Sequence, residues 1–231
     1  MVDGNALFVM SSGSGPVLVV SHGVGSDTSV WDAMTPVLAD HVRVVAWDQP
    51  GHGRSVAVAP ELYGPRLAYA SLASVIDSAV APHEQVILLG HSLGGYLSAR
   101  YAIEHPDRVG ALILLATGPG FRSPDALEKW NRNVRRGAEK QGRPETLVGL
   151  HEDSYVMDHL AEISCPSVVL VGSLDLAFVG ATDYIERKVP GIERHTIEGG
   201  DHMMPATRSV DIATIVVEFL TRRGVVAQPT V

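Results

Sequence analysis

The chain has 231 residues, 45% of them hydrophobic, enough to bury one substantial core but cramped for two full domains. Its formal net charge of −8 and pI near 5.6 give no electrostatic basis for binding nucleic acid. The single cysteine, Cys165, cannot close an intramolecular disulfide, so nothing points to an oxidising compartment. It reads as a small buried thiol. Met1 to Asn5 carries an early acid and no basic region ahead of an apolar block, so no leader is expected. No apolar run approaches the about 18 residues of a membrane span. The expectation is one domain over residues 1–231, cytoplasmic, with neither nucleic acid nor membrane as partner and the oligomeric state open.

In chain order, Leu7-Phe8-Val9-Met10 and the turn Ser11 to Pro16 suggest an edge strand leading into Val17 to Val20. Val42 to Trp47, Val86 to Leu89, Ala111 to Ala116 and Val168 to Val171 also read as strands, with Arg194 to Ile197 as the last. Most are apolar continuously, which implies burial on both faces and a parallel sheet. Val30 to Ala39, Leu67 to Val80, Leu93 to Glu104, Thr182 to Val189 and Asp211 to Arg222 carry the three- and four-residue apolar spacing of helices. This alternation predicts an α/β fold with a mostly parallel, doubly wound sheet and helices on both faces.

One segment breaks the rhythm. Thr117 to about Ala161 is polar and charged, with a helix start at Ser123-Pro124-Asp125 and an apolar stripe of Leu127, Trp130 and Val134. It predicts a short helical lid inserted at about 118–161. The basic run of Lys129, Arg132, Arg135, Arg136 and Lys140 reads as the solvated face of a lid helix.

The chemistry-bearing motif is Gly90-His91-Ser92-Leu93-Gly94-Gly95, set between a strand and a helix. A nucleophile on so tight a turn has a strained backbone, and side chains two positions to either side would meet neighbouring backbone. Ser92 is the candidate nucleophile, and the Leu93 N–H at the helix start can face a developing oxyanion. The acid and the histidine should follow in that order. Asp175, just past the strand Val168 to Val171, is the candidate acid, with helix N-capping as its alternative role. His202, in Gly199-Gly200-Asp201-His202, is the candidate base. His151 and His159 sit in the insertion, His195 in a strand and His105 at a helix end, so each competes weakly. His91 is expected to point away from the nucleophile in a structural role. Ser21-His22-Gly23-Val24-Gly25 follows an early strand and offers the Val24 N–H as a second oxyanion donor, with His22 anchoring the loop. Met203 and Met204 beside the base suit either packing or a pocket wall. No group of residues has convincing metal-ligand spacing.

Several of these motifs resemble the α/β-hydrolase superfamily. Ser21-His22-Gly23 with Trp31 is similar to its oxyanion-loop signature, and Asp48-Gln49-Pro50-Gly51-His52-Gly53-Arg54-Ser55 to its D-x-x-G-x-G-x-S turn. Gly90 to Gly95, Cys165-Pro166 leading to Gly172-Ser173-Leu174-Asp175, and Gly200-Asp201-His202 follow in the family's order. The resemblance implies a Ser92–Asp175–His202 triad and no cofactor. It is similar to the small esterase, enol-lactonase and C–C bond hydrolase branch; serine at position 92 disfavours the aspartate-nucleophile branches. Asp48 and Arg54 are expected to hold the turn by hydrogen bonds.

The expectation is therefore a serine hydrolase of a small carboxylic ester or lactone. Cleavage of a diketone-like C–C bond by the same residues and a non-catalytic ligand sensor are the alternatives.

Overall fold

Seven strands form around the apolar runs in a computed structural model that describes residues 6–227. They are β1 (Val9–Ser12), β2 (Val17–Ser21), β3 (Arg43–Trp47), β4 (Val86–His91), β5 (Val109–Leu115), β6 (Ser167–Gly172) and β7 (Glu193–Ile197). Their spatial order is β1-β3-β2-β4-β5-β6-β7. All neighbours are parallel except β1, which runs antiparallel to β3 at the edge. Every residue of β2, β4 and β6 is buried.

The reason lies in the two layers that cover the sheet. The helices are α1 (Thr35–Ala39), α2 (Pro65–Ala79), α3 (Leu93–Glu104), α4 (Pro124–Gln141), α5 (Tyr155–His159), α6 (Leu176–Lys188), α7 (Met204–Thr207) and α8 (Ser209–Arg222). Val19 and Leu88 face a core built with Leu72 and Ile76 of α2, Leu97 of α3 and Ile185 of α6. Their strand neighbours Leu18, Val20, Ile87 and Leu89 face the opposite core, with Leu38 of α1 and Ile212, Val216 and Phe219 of α8. Successive side chains alternate across a strand, so both faces demand apolar residues. Each fully buried aliphatic side chain contributes about 1.5–3 kcal/mol.

The doubly wound architecture matches the expectation, while several boundaries move, three of them for reasons visible in the structure. The expected helix at Val30 to Ala39 is broken into a 3-10 turn at Thr28–Trp31 and the short α1. Pro36 has no N–H to continue the ladder, and the Trp31 carbonyl is taken by the Met34 N–H at 3.0 Å and the Thr35 hydroxyl at 2.9 Å. The edge strand lies two residues later than expected, fixed by its register of Val9 opposite Trp47 and Ser12 opposite Val44. Helix α6 begins six residues before Thr182. Its first turn is largely exposed, Leu176 at 80%, so that turn carried no buried periodic stripe.

Between β5 and β6 the chain leaves the sheet. Ser123 caps α4 by accepting the Ala126 N–H, and Gly142 ends it at φ 62, a left-handed conformation suited to glycine. A 3-10 stretch at Pro144–Gly149 and α5 follow. Only Asn131 and Ala138 of α4 are buried. Among the described residues no helix is long and apolar enough to cross a membrane; Met1 to Asn5, read above for a leader, lie outside them.

Candidate active site

Sheet geometry fixes the turn at Ser92. Its φ is 53, the left-handed region that a serine adopts only where surroundings enforce it. A Cβ on Gly90 would overlap the Gly94 backbone, and one on Gly94 would overlap the Ser21 carbonyl, so the two glycines let β4, the turn and β2 close together. The Ser92 N–H bonds the Leu115 carbonyl at 3.0 Å, and the Thr117 hydroxyl donates to the Ser92 carbonyl at 2.6 Å. Leu93 opens α3, so its N–H belongs to the first helical turn and has no partner within the helix.

The acid and base come from the ends of β6 and β7. Their two loops run in contact: a Cβ on Gly172 would overlap the Gly200 backbone, and the Leu174 N–H bonds the Gly200 carbonyl at 2.9 Å. Asp175 stands at the start of α6 without capping it. Its buried carboxylate instead accepts the His202 Nδ1–H at 2.7 Å. His202 Nε2 accepts from the Ser92 hydroxyl at 3.2 Å, a reach suited to proton transfer. Phe178, one turn into α6, stacks on the imidazole with ring centres 4.6 Å apart. The structure thus brings Ser92, Asp175 and His202 into one chain of contacts.

Val24, Leu93, Ser92 and His202 all line one cavity of about 880 Å³. The segment between β5 and β6 supplies Phe121, Trp130, Val134 and His151 to its lining, and α6 supplies Phe178, Ala181 and Tyr184. Arg143 also lines it and is paired with Glu145 at 2.7 Å.

The sequence from Pro16 onward meets a known pattern here. A model of the alpha/beta hydrolase fold matches residues 16–143, more than half of the chain. The protein is a member of the α/β-hydrolase family. Among its relatives, a pimeloyl-[acyl-carrier protein] methyl ester esterase from Proteus mirabilis is 34% identical over 138 residues, covering 59% of this chain and 50% of that one. One of the same name from Methylococcus capsulatus is 29% identical and covers 93% of this chain and 98% of its own. The matched stretch spans about half the length or less of the first such relatives. The solved structure of a thermophilic esterase from Thermogutta terrifontis superposes with a TM-score of 0.80 at 23% identity, over 96% of each chain, a likeness of fold.

Two histidines of this α/β hydrolase hold loops by neutral hydrogen bonds. His22 donates from Nδ1 to the Gly23 carbonyl at 2.8 Å and accepts the Gln49 N–H at Nε2 at 3.0 Å. His91 donates from Nε2 to the His202 carbonyl at 2.8 Å. Burial pushes their pKa values down, to about 4 for His22 and about 3 for His91. Asp48 binds the Thr28 and Arg54 N–H groups at 2.6 and 2.8 Å, the turn-holding role expected of it. Arg54 lies over the Phe8 ring at 3.5 Å. Cys165 is partly buried, and burial raises its thiol pKa. Met204 is fully buried while Met203 is 44% exposed.

The competing histidines divide. His159 donates to the Tyr155 carbonyl, His195 lies in β7 and His105 ends α3 against Tyr101. His151 does enter the cavity. The sequence reading missed the His91 bond to the base's own carbonyl and the Phe178 stack; Phe178 carried a signal in standing one helical turn after Asp175. Among the described residues no group of three or more His, Cys, Asp or Glu could hold a metal ion.

Proposed function

We propose that this hydrolase cleaves small carboxylic esters or lactones through an acyl-enzyme on Ser92. The observation that carries the reading is the unbroken line from Ser92 Oγ to His202 Nε2 to Asp175 Oδ2, whose first two members line the cavity. His202 takes the hydroxyl proton as Ser92 Oγ attacks the carbonyl carbon, and Asp175 holds the ring's tautomer and stabilises the imidazolium. The N–H groups of Leu93 and Val24 receive the negative oxygen. His202 then gives its proton to the leaving alcohol, activates a water on the acyl-enzyme, and the acid departs.

The insertion at 118–161 acts as a lid whose inner wall selects the substrate. The names of the relatives recommend methyl esters among the first substrates. The test pairs a fluorophosphonate probe with para-nitrophenyl acetate. Wild type should be labelled at Ser92 and turn over the ester; Ser92→Ala should fold, escape labelling and lose nearly all turnover. Undiminished hydrolysis by Ser92→Ala refutes the reading.

A further inference from the structure

His151 occupies an unusual place for a polar ring. It is 8% exposed and sits edge-on to Tyr96 (ring centres 4.3 Å) and Phe121 (5.5 Å), with Trp130 at 6.0 Å. Its backbone is clamped by the buried Asn131 of α4, which donates to the His151 carbonyl at 2.7 Å and accepts its N–H at 2.9 Å. The Trp130 indole N–H fixes the adjoining strap at the Gly149 carbonyl, 2.9 Å away. This scaffold holds the ring in position, yet neither ring nitrogen has a protein partner among the described residues.

The two nitrogens differ. Nδ1 is sealed from solvent against Gly120, whereas Nε2 is not sealed, and the ring lines the cavity that holds Ser92. A sealed lone pair costs less than a sealed N–H, so the proton belongs on Nε2, as a donor facing the cavity. A buried polar group without a partner in an apolar wall calls for an explanation, because phenylalanine would fill the same space.

We propose that His151 is a specificity-determining residue whose Nε2–H binds a neutral acceptor on the substrate, such as a ketone, amide or second ester carbonyl, remote from the scissile bond. This rests on the ester-hydrolase reading above. Two features favour a neutral acceptor over a carboxylate. Burial lowers the pKa of His151 to about 4, so the ring stays uncharged near neutrality. Arg143, the cationic side chain lining the cavity, is already paired with Glu145.

The test uses ester pairs of equal length that differ in one methylene replaced by a carbonyl near the chain end. One pair varies the acyl group of a para-nitrophenyl ester; the other varies the alcohol of an acetate, followed by acid release. Wild type should favour the ketone member of at least one pair by about tenfold in kcat/KM, mainly through KM, the scale of one hydrogen bond. His151→Phe should abolish that preference and keep the rate on the all-methylene member within about twofold. His151→Gln, which retains an N–H donor, should recover part of it. His151→Leu replaces the Phe variant if that protein does not fold.

No ketone preference in wild type overturns the proposal. So does a preference that survives in the Phe and Leu variants, or an equal loss on both members of the pair. Fluorophosphonate labelling of wild type is read alongside. A labelled enzyme without ketone preference rejects the role of His151 alone, whereas an unlabelled wild type rejects the ester-hydrolase reading beneath it.

Discussion

The imidazole of His91 donates to the main-chain carbonyl of His202 at 2.8 Å, and the two rings lie 4.8 Å apart. The residue that precedes the candidate nucleophile therefore holds the loop that presents the candidate base. His91→Phe keeps an aromatic ring, somewhat larger than the imidazole, and removes the donor. Expected is a fall in kcat of roughly tenfold to a hundredfold, the cost of a base displaced by a fraction of an ångström to an ångström, with KM little changed. Steady-state kinetics on a para-nitrophenyl ester checks it; equal kcat in the variant would make His91 a packing residue only.

Asp175 separates orientation from charge. Asp175→Asn preserves shape but presents an amide to His202 Nδ1 and favours the wrong tautomer. By analogy with the handling of histidine in serine proteases, kcat should drop by about four orders of magnitude. Thermal unfolding should change little, since α6 draws no cap from this carboxylate. Retention of a tenth of the activity would detach Asp175 from the reaction.

Acid should unfold the protein through its buried histidines. His22, His91 and His151 have folded pKa values of about 4, 3 and 4 against an ordinary value of 6.5. A depressed histidine pKa means that the unfolded chain binds more protons, so stability is full above about pH 6.5 and falls as pH drops toward 4. Near pH 5 each histidine removes about 2 kcal/mol. Urea midpoints between pH 7 and 5 should fall steadily, and His151→Phe should flatten the slope by one proton. A midpoint independent of pH over that range contradicts this.

Two glycine-to-alanine changes should move stability in opposite directions. Gly94→Ala drives a methyl into the Ser21 carbonyl and should cost about 1–3 kcal/mol or more, with activity lost as the turn shifts. In the middle of α4, a Cβ on Gly137 meets nothing within 4 Å, so Gly137→Ala should stabilise by about 0.5–1 kcal/mol. Differential scanning calorimetry on both proteins reads the signs directly.

Much of the architecture was legible because burial on two faces leaves a plain mark: Val17 to Val20 and Val86 to Leu89 are apolar without alternation. The meeting of Ser92, Asp175 and His202 was legible through chain order and the glycines around each. What escaped was of two kinds. Helix ends without a buried stripe, such as the first turn of α6, give no periodic signal. Contacts between residues far apart in sequence, such as His91 with His202 or Asn131 with His151, arise from sheet order and from the return path of the insertion, which a linear pattern does not encode. His151 looked like a weak rival for the base; its position in the wall depended on Asn131, twenty residues earlier.

The segment between β5 and β6 leaves and rejoins neighbouring strands, while Ser92, Asp175 and His202 all lie outside it. On the reading proposed above, the chemistry sits outside this stretch, while Phe121, Trp130 and His151 within it line the pocket. Exchanging residues 118–161 for the matching stretch of another family member is therefore expected to reshape the pocket without replacing Ser92, Asp175 or His202, so new substrate ranges lie within reach of recombination as well as of point mutation.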